Sequence, residues 1–221
     1  MRPFLAVVFA LCMALPLMAQ HVGARLDGRV PPDVRRAVED IAADAAAHGL
    51  PTEPLVQKAI EGGAKRVPAE RLIAAVRALA ARLAGAAEAV HGGGLETSKA
   101  DVVEGGADGL SAGLTAGHVS ELVRASHAPY DPALVLRVAA TLAALGVPPK
   151  QTVQLVEGMI KDGKSSSDLL GLPGEVQADV ADGATPAQAA EHVAHGGGTP
   201  PGRPPDWVPP GQTKRKGHGK P

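Results

Sequence analysis

The chain has 221 residues, enough for one or two domains. Lysine plus arginine number 22 against 23 acids, so no global field recruits nucleic acid, and no specific nucleic-acid binding is expected. Aromatics make up only 2% of the residues, which removes the exposed ring platforms that base- or sugar-stacking sites need.

Residues 1–20 read as a secretory signal peptide. Arg2 supplies the basic start, residues 4–15 form an uncharged apolar stretch, and Pro16 breaks it before Leu17-Met18-Ala19, with the cut expected after Ala19 or Gln20. The uncharged run 3–19 falls short of the ~20 residues that span a bilayer, so the mature chain is expected to lack a transmembrane helix. The expected location is periplasmic or secreted, in a bacterium. Cys12, the one cysteine, follows Leu11 rather than a small residue and reads as apolar filler. Its removal would leave no thiol for disulfides, covalent catalysis or zinc.

The body, 21–195, reads as helices that start near proline and stop at glycine. The first is expected over 32–48, with Val34, Val38, Ile41 and Ala45 on its inner face and Gly49 as the stop. A short helix follows Thr52 and ends at Gly62-Gly63. Pro68 then takes the first position of a long helix to His91, with a stripe of Leu72, Ile73, Val76, Leu79, Leu83 and Val90, and with Arg71, Arg82 and Glu88 facing water. Gly92-Gly93-Gly94 is the clearest break, a soft joint at 92–95. Ser98 with Asp101 suggests a capping pair for a short helix ending at Gly105-Gly106. Another short helix spans 116–126.

Asp131-Pro132 opens a helix to Leu145 whose only charge is Arg137, so it belongs at the centre of the body. A further helix covers 149–161, and Pro173 is expected to open the next, through Asp182. Thr185-Pro186-Ala187-Gln188 is a capping box for a last helix to His195. The fold class is therefore all-α, an irregular helical bundle or αα-hairpin array of about eight helices.

Residues 196–221 hold seven glycines and seven prolines and bury too little to offset ordering entropy, so a disordered tail is expected. Arg203, Lys214, Arg215, Lys216 and Lys220 against Asp206 give it a charge of +4, while the body, with 16 basic and 22 acidic residues, carries −6. Four segments, 59–72, 102–115, 155–168 and 179–190, share an apolar residue, an acid (Glu61, Glu104, Glu157, Asp182), glycine and a new helix start. Their uneven spacing suggests a recurring helix-turn-helix device rather than a solenoid.

The stretch GLPTEPLVQKAIEGGAKRVPAERLIAAVRALA (49–80) resembles exported, alanine-rich helical proteins of high-GC bacteria, and the similarity extends into 131–195 through LVLRVAATLAALGVP and ADVADGATPAQAA. The resemblance implies an envelope or secreted protein and transfers no functional residue.

Three patterns could carry chemistry. Gly158 to Ser165 fits the phosphate loop G-x-x-x-x-G-K-[ST], with Lys164 and Ser165 in the phosphate and Mg²⁺ roles, but it follows a helical rather than a strand pattern. Gly109-Leu110-Ser111-Ala112-Gly113 fits the nucleophile elbow, with His91-Gly92-Gly93-Gly94 as an oxyanion loop and His127 or His192 as a base. The elbow needs a strand-to-helix turn, and a second His-Gly-Gly-Gly at 195–198 shows how readily this composition yields the match. His192 and His195, three apart on one helix, supply two metal ligands, with Glu191 or Asp182 as a third. Histidines in a last helical turn are also favoured by the helix dipole, a reading that covers His48 and His91. His118 and His127 have no ligand-spaced partner. The basic tail could touch an anionic surface.

No catalytic, cofactor-binding or metal residue is assigned from these patterns. The expected function is a non-catalytic interaction or structural protein of the bacterial envelope. The alternatives are an exported serine hydrolase using Ser111 and a metal-binding module around His192 and His195. The expected partner is another envelope protein, or an anionic surface met through the tail.

Overall fold

The computed structural model describes residues 22–96 and 99–196. The expected signal peptide, Ser98 and all but Gly196 of the expected tail lie outside them. Among the described residues the chain is all-helical, with ten helices and no strand. They are α1 (22–26), α2 (Pro32–Ala47), α3 (Glu53–Ala64), α4 (Ala69–Gly92), α5 (Ala100–Ser111), α6 (Ala116–Ala125), α7 (Pro132–Ala144), α8 (Pro149–Lys161), α9 (Ser166–Ala181) and α10 (Pro186–Ala194).

Two hydrophobic clusters organise the body. One gathers α1 to α4 around Leu26, Val34, Val38, Leu55, Leu72 and Val76, and is closed by Val103 and Ala107 of α5. The other surrounds α7, where Val135, Leu136, Val138, Ala139 and Leu142 are buried among α4 to α6 and α8 to α10. The near-absence of charge on α7 thus has the consequence expected of it: the helix is central. α4, the longest helix, serves both clusters, with Ala86 in the first and Ala89 and Val90 in the second.

The recurring device between helices is a left-handed residue, an apolar residue and a new cap. At Gly146 (φ 93°) the chain turns out of α7, Val147 N–H returns to the Leu142 carbonyl at 3.1 Å, and buried Val147 leads into Pro148 and α8. Gly113-Leu114-Thr115 and Gly183-Ala184-Thr185 repeat it, with Thr115 and Thr185 accepting from backbone N–H groups of the next helix. This device, not the acid-glycine phrase, is the structural repeat. Glu104 is mid-helix, Glu157 is in the penultimate turn of α8, and Asp182 is a C-cap.

Several expected boundaries move. The helices run through Gly62-Gly63 and through Gly105-Gly106 instead of stopping, because these glycines are notches rather than turns. A Cβ on Gly62 would meet Leu72, and one on Gly63 the Arg29 carbonyl. A Cβ on Gly106 would lie 3.2 Å from that of Ala86 and 3.4 Å from Val119 Cγ1; one on Gly105 would lie 3.2 Å from Leu136 Cβ. Close helix approach selects glycine as firmly as positive φ does. Pro68 precedes α4 as its cap residue rather than its first residue. α9 starts seven residues before Pro173, because Ser165 and Asp168 form a capping box in which each side chain accepts the other's N–H, at 2.9 and 3.1 Å. Arg82 does not face water: it is half-buried, with Nε inaccessible and without a hydrogen-bond partner.

Side chains of α6 finish α4. Ser120 Oγ donates to the Ala89 carbonyl at 2.7 Å, which also accepts from Gly93 N–H, and Arg124 donates to the Gly92 carbonyl at 3.3 Å, a group that a helix end leaves open. Tyr130 is buried and donates to the Lys164 carbonyl at 2.6 Å, so the one aromatic of the body is a tether, not a stacking platform.

Candidate functional site

α2 and α4 pack through Val38, Ala42 and Ala45 on one helix and Val76 and Leu83 on the other. Along one flank this packing stops short. Ala80, Ala84 and Ala87 present only methyl groups, and a groove of about 690 Å³ remains above them. Ile41, expected on the inner stripe, packs half-buried against the first cluster and, with Leu50, also lines the groove. The floor is therefore apolar, and its exposure follows from alanine's size: the helices come close without filling the space beside their contact.

The rim is charged. Asp40, Asp44 and Glu88 stand on it with Arg77 and His48, and all five are exposed. His48 lies 3.7 Å from Asp44 and its Nδ1 is 2.8 Å from the Asp44 carbonyl oxygen. Among the described residues neither Asp40 nor Glu88 has an ion-pair partner. Counting histidine as neutral, the rim carries three negative charges and one positive. An apolar trough edged by unpaired carboxylates suits an apolar, basic peptide.

The second polar centre lies between α9 and α10. His192 Nδ1 is 2.6 Å from Asp179 Oδ2, with side chains 16% and 12% exposed. The carboxylate fixes the ring so that Nδ1 carries the shared proton, while Nε2 is inaccessible and without a partner. Asp179 was not among the residues read as acting with His192. It lies thirteen positions away on another helix, and no local spacing marks the pair. His195 is not drawn in: its Nδ1 bonds the Glu191 carbonyl at 2.7 Å. Among the described residues no group of three or more His, Cys, Asp or Glu side chains is arranged to hold a metal ion.

The remaining patterns are placed as follows. Ser111 ends α5 and its Oγ donates to the Ala107 carbonyl at 2.8 Å, a local back-bond that occupies its proton. It lines a shallow hollow with Asp108, Arg137 and Thr141, none of which is a general base paired to it. Gly158 lies inside α8 and Ser165 is the cap of α9, so the phosphate-loop residues form a helix end and a helix start rather than a cradle. Glu61, Glu104 and Glu157 keep separate surroundings. Hydrogen bonding and charge from Lys65, then Lys58, hold Glu61 below the ordinary range. Partial burial pushes Glu104 up against the opposing pull of Arg137. Partial burial and the charge of Glu121 push Glu157 up.

No helix among the described residues is long and apolar enough to cross a membrane. Comparison with family models, with curated proteins and with solved structures gives no match, so the site rests on its own geometry.

Proposed function

We propose that the protein is a non-catalytic interaction or structural protein of the bacterial envelope, and that the α2/α4 groove is its working surface. One observation carries the reading: an alanine-floored groove of about 690 Å³ whose rim acids Asp40 and Glu88 have no partner among the described residues. A trough of this kind binds extended or helical segments by apolar contact and orients them by charge. The signal-like residues 1–20 support placing it outside the cytoplasm.

The test is a photo-cross-linking amino acid placed at Ala81, which is exposed on the groove, and in parallel at Gln177, which is exposed on α9. In the native cell, discrete adducts should form from position 81 and not from 177. Identical patterns from the two positions, or none from 81, refute the assignment of the groove. Fractionation of the same cells tests the location, and recovery in the cytosol would refute it.

A further inference from the structure

The groove calls for an apolar, positively charged segment, and the chain itself contains one. Residues 197–221 have Trp207 and Val208 as their only large apolar side chains, flanked by Pro204-Pro205 and Pro209-Pro210 and followed by Lys214-Arg215-Lys216. From the complementarity of these two features we infer that the C-terminal segment is the groove's resident occupant, with the Trp207 ring over the alanine floor and the basic run against Asp40, Asp44 and Glu88. The inference rests on the groove being the working surface and names its occupant.

Charge supports the pairing. The segment has five basic residues against Asp206, and the rim has three carboxylates against Arg77. Shape supports it as well. Peptides rich in proline have fewer backbone conformations to lose on docking than other sequences, and this segment has two Pro-Pro pairs beside Trp207 and Val208. Seven residues separate Trp207 from Lys214, about 22 Å at ~3.1 Å per extended residue. The α4 side of the groove, Arg77 to Glu88, is about 16 Å at ~1.5 Å per helical residue. An anchor near one end therefore brings the basic run to the opposite rim.

The chain is long enough to reach. α10 packs on α8, α8 on α6 and α6 on α4, three steps of roughly 8–10 Å. Trp207 lies eleven residues beyond Gly196, a reach of about 36–40 Å, and Lys214 has about 60 Å.

Trp207 is the chain's single tryptophan, so its emission in the untruncated protein reads the contact directly. The wild type should show blue-shifted emission and acrylamide quenching several-fold weaker than a free indole, independent of protein concentration. Molar salt should raise the quenching, because it screens the rim. Asp40→Lys with Glu88→Lys should return Trp207 to solvent, as should Lys214→Glu with Arg215→Glu and Lys216→Glu, while Glu175→Lys on α9 should not. Circular dichroism establishes that each variant is folded. An exposed Trp207 in the wild type overturns the inference. So does protection unaffected by the groove variants, or protection that appears only as concentration rises, which would mean that a second copy supplies the segment. Exposed Trp207 together with adducts from Ala81 would leave the groove's function standing and remove its resident occupant; exposed Trp207 without adducts would remove both.

Discussion

Two glycine-to-alanine substitutions should move stability in opposite directions, although both glycines sit inside helices. Gly158 lies in α8, and a Cβ built there meets nothing within 4 Å. Alanine at 158 restricts the unfolded chain and improves helix propensity at no steric cost, a gain of about 0.5–1 kcal/mol. Gly63 lies in α3, where the same Cβ would collide with the Arg29 backbone carbonyl and lie 2.9 Å from Val30 Cγ1. A backbone carbonyl cannot rotate aside as a side-chain tip can. The loop between α1 and α2 must shift, and overpacking of this kind costs about 1–3 kcal/mol, more than the propensity gain returns. For a body of this size each kcal/mol moves the melting temperature by about 2–4 °C. Thermal melts and urea titrations followed by circular dichroism should therefore place Gly158→Ala a few degrees above the wild type and Gly63→Ala a few degrees below. Equal gains in both would refute the notch assignment of Gly63 and the packing of α3 against residues 29–30. Gly158→Ala also tests the phosphate-loop pattern: nucleotide binding that the wild type showed and the variant lost would overturn the helical reading of 158–165.

Leu142→Ala removes a fully buried side chain from the cluster around α7 and should cost about 2–5 kcal/mol, whereas Arg71→Ala, exposed on α4, should do little; indistinguishable melts would contradict the central position of α7. Asp179→Ala leaves His192 Nδ1 without its acceptor and should cost about 1–3 kcal/mol, and a double-mutant cycle with His192→Ala giving no coupling would refute the pairing. Glu157 is raised by burial and by Glu121, so its contribution is favourable when protonated and is lost as pH rises through its folded value, above the ordinary 4.5. Glu157→Gln should therefore raise the neutral-pH melting temperature slightly and give no advantage at a pH well below 4.5; a difference independent of pH would contradict the cause assigned. Ser111→Ala should stay within about 0.5 kcal/mol of the wild type and leave any hydrolytic activity unchanged.

Helix class, most helix starts and the central place of α7 can be read directly from the chain. These are local properties. A Thr-Pro-x-Gln cap, an Asp-Pro start or a thirteen-residue run with one charge acts through neighbours within a turn or two, and packing reinforces the same preference. Glycine is where local reading fails. Gly146 and Gly106 are the same residue in similar company. One is used for its left-handed φ at a helix end, the other for the missing Cβ against Ala86, and only the position of α4 beside α5 distinguishes them. The site features share that dependence. Asp179 finds His192 because α9 and α10 pack together, and Ile41 packs against the first cluster while also edging the groove that the alanines of α4 leave beside it. Short-range propensity decides what each segment becomes; which faces meet, and what space lies beside the contact, follows from the packing of side-chain volumes contributed by residues far apart in the chain.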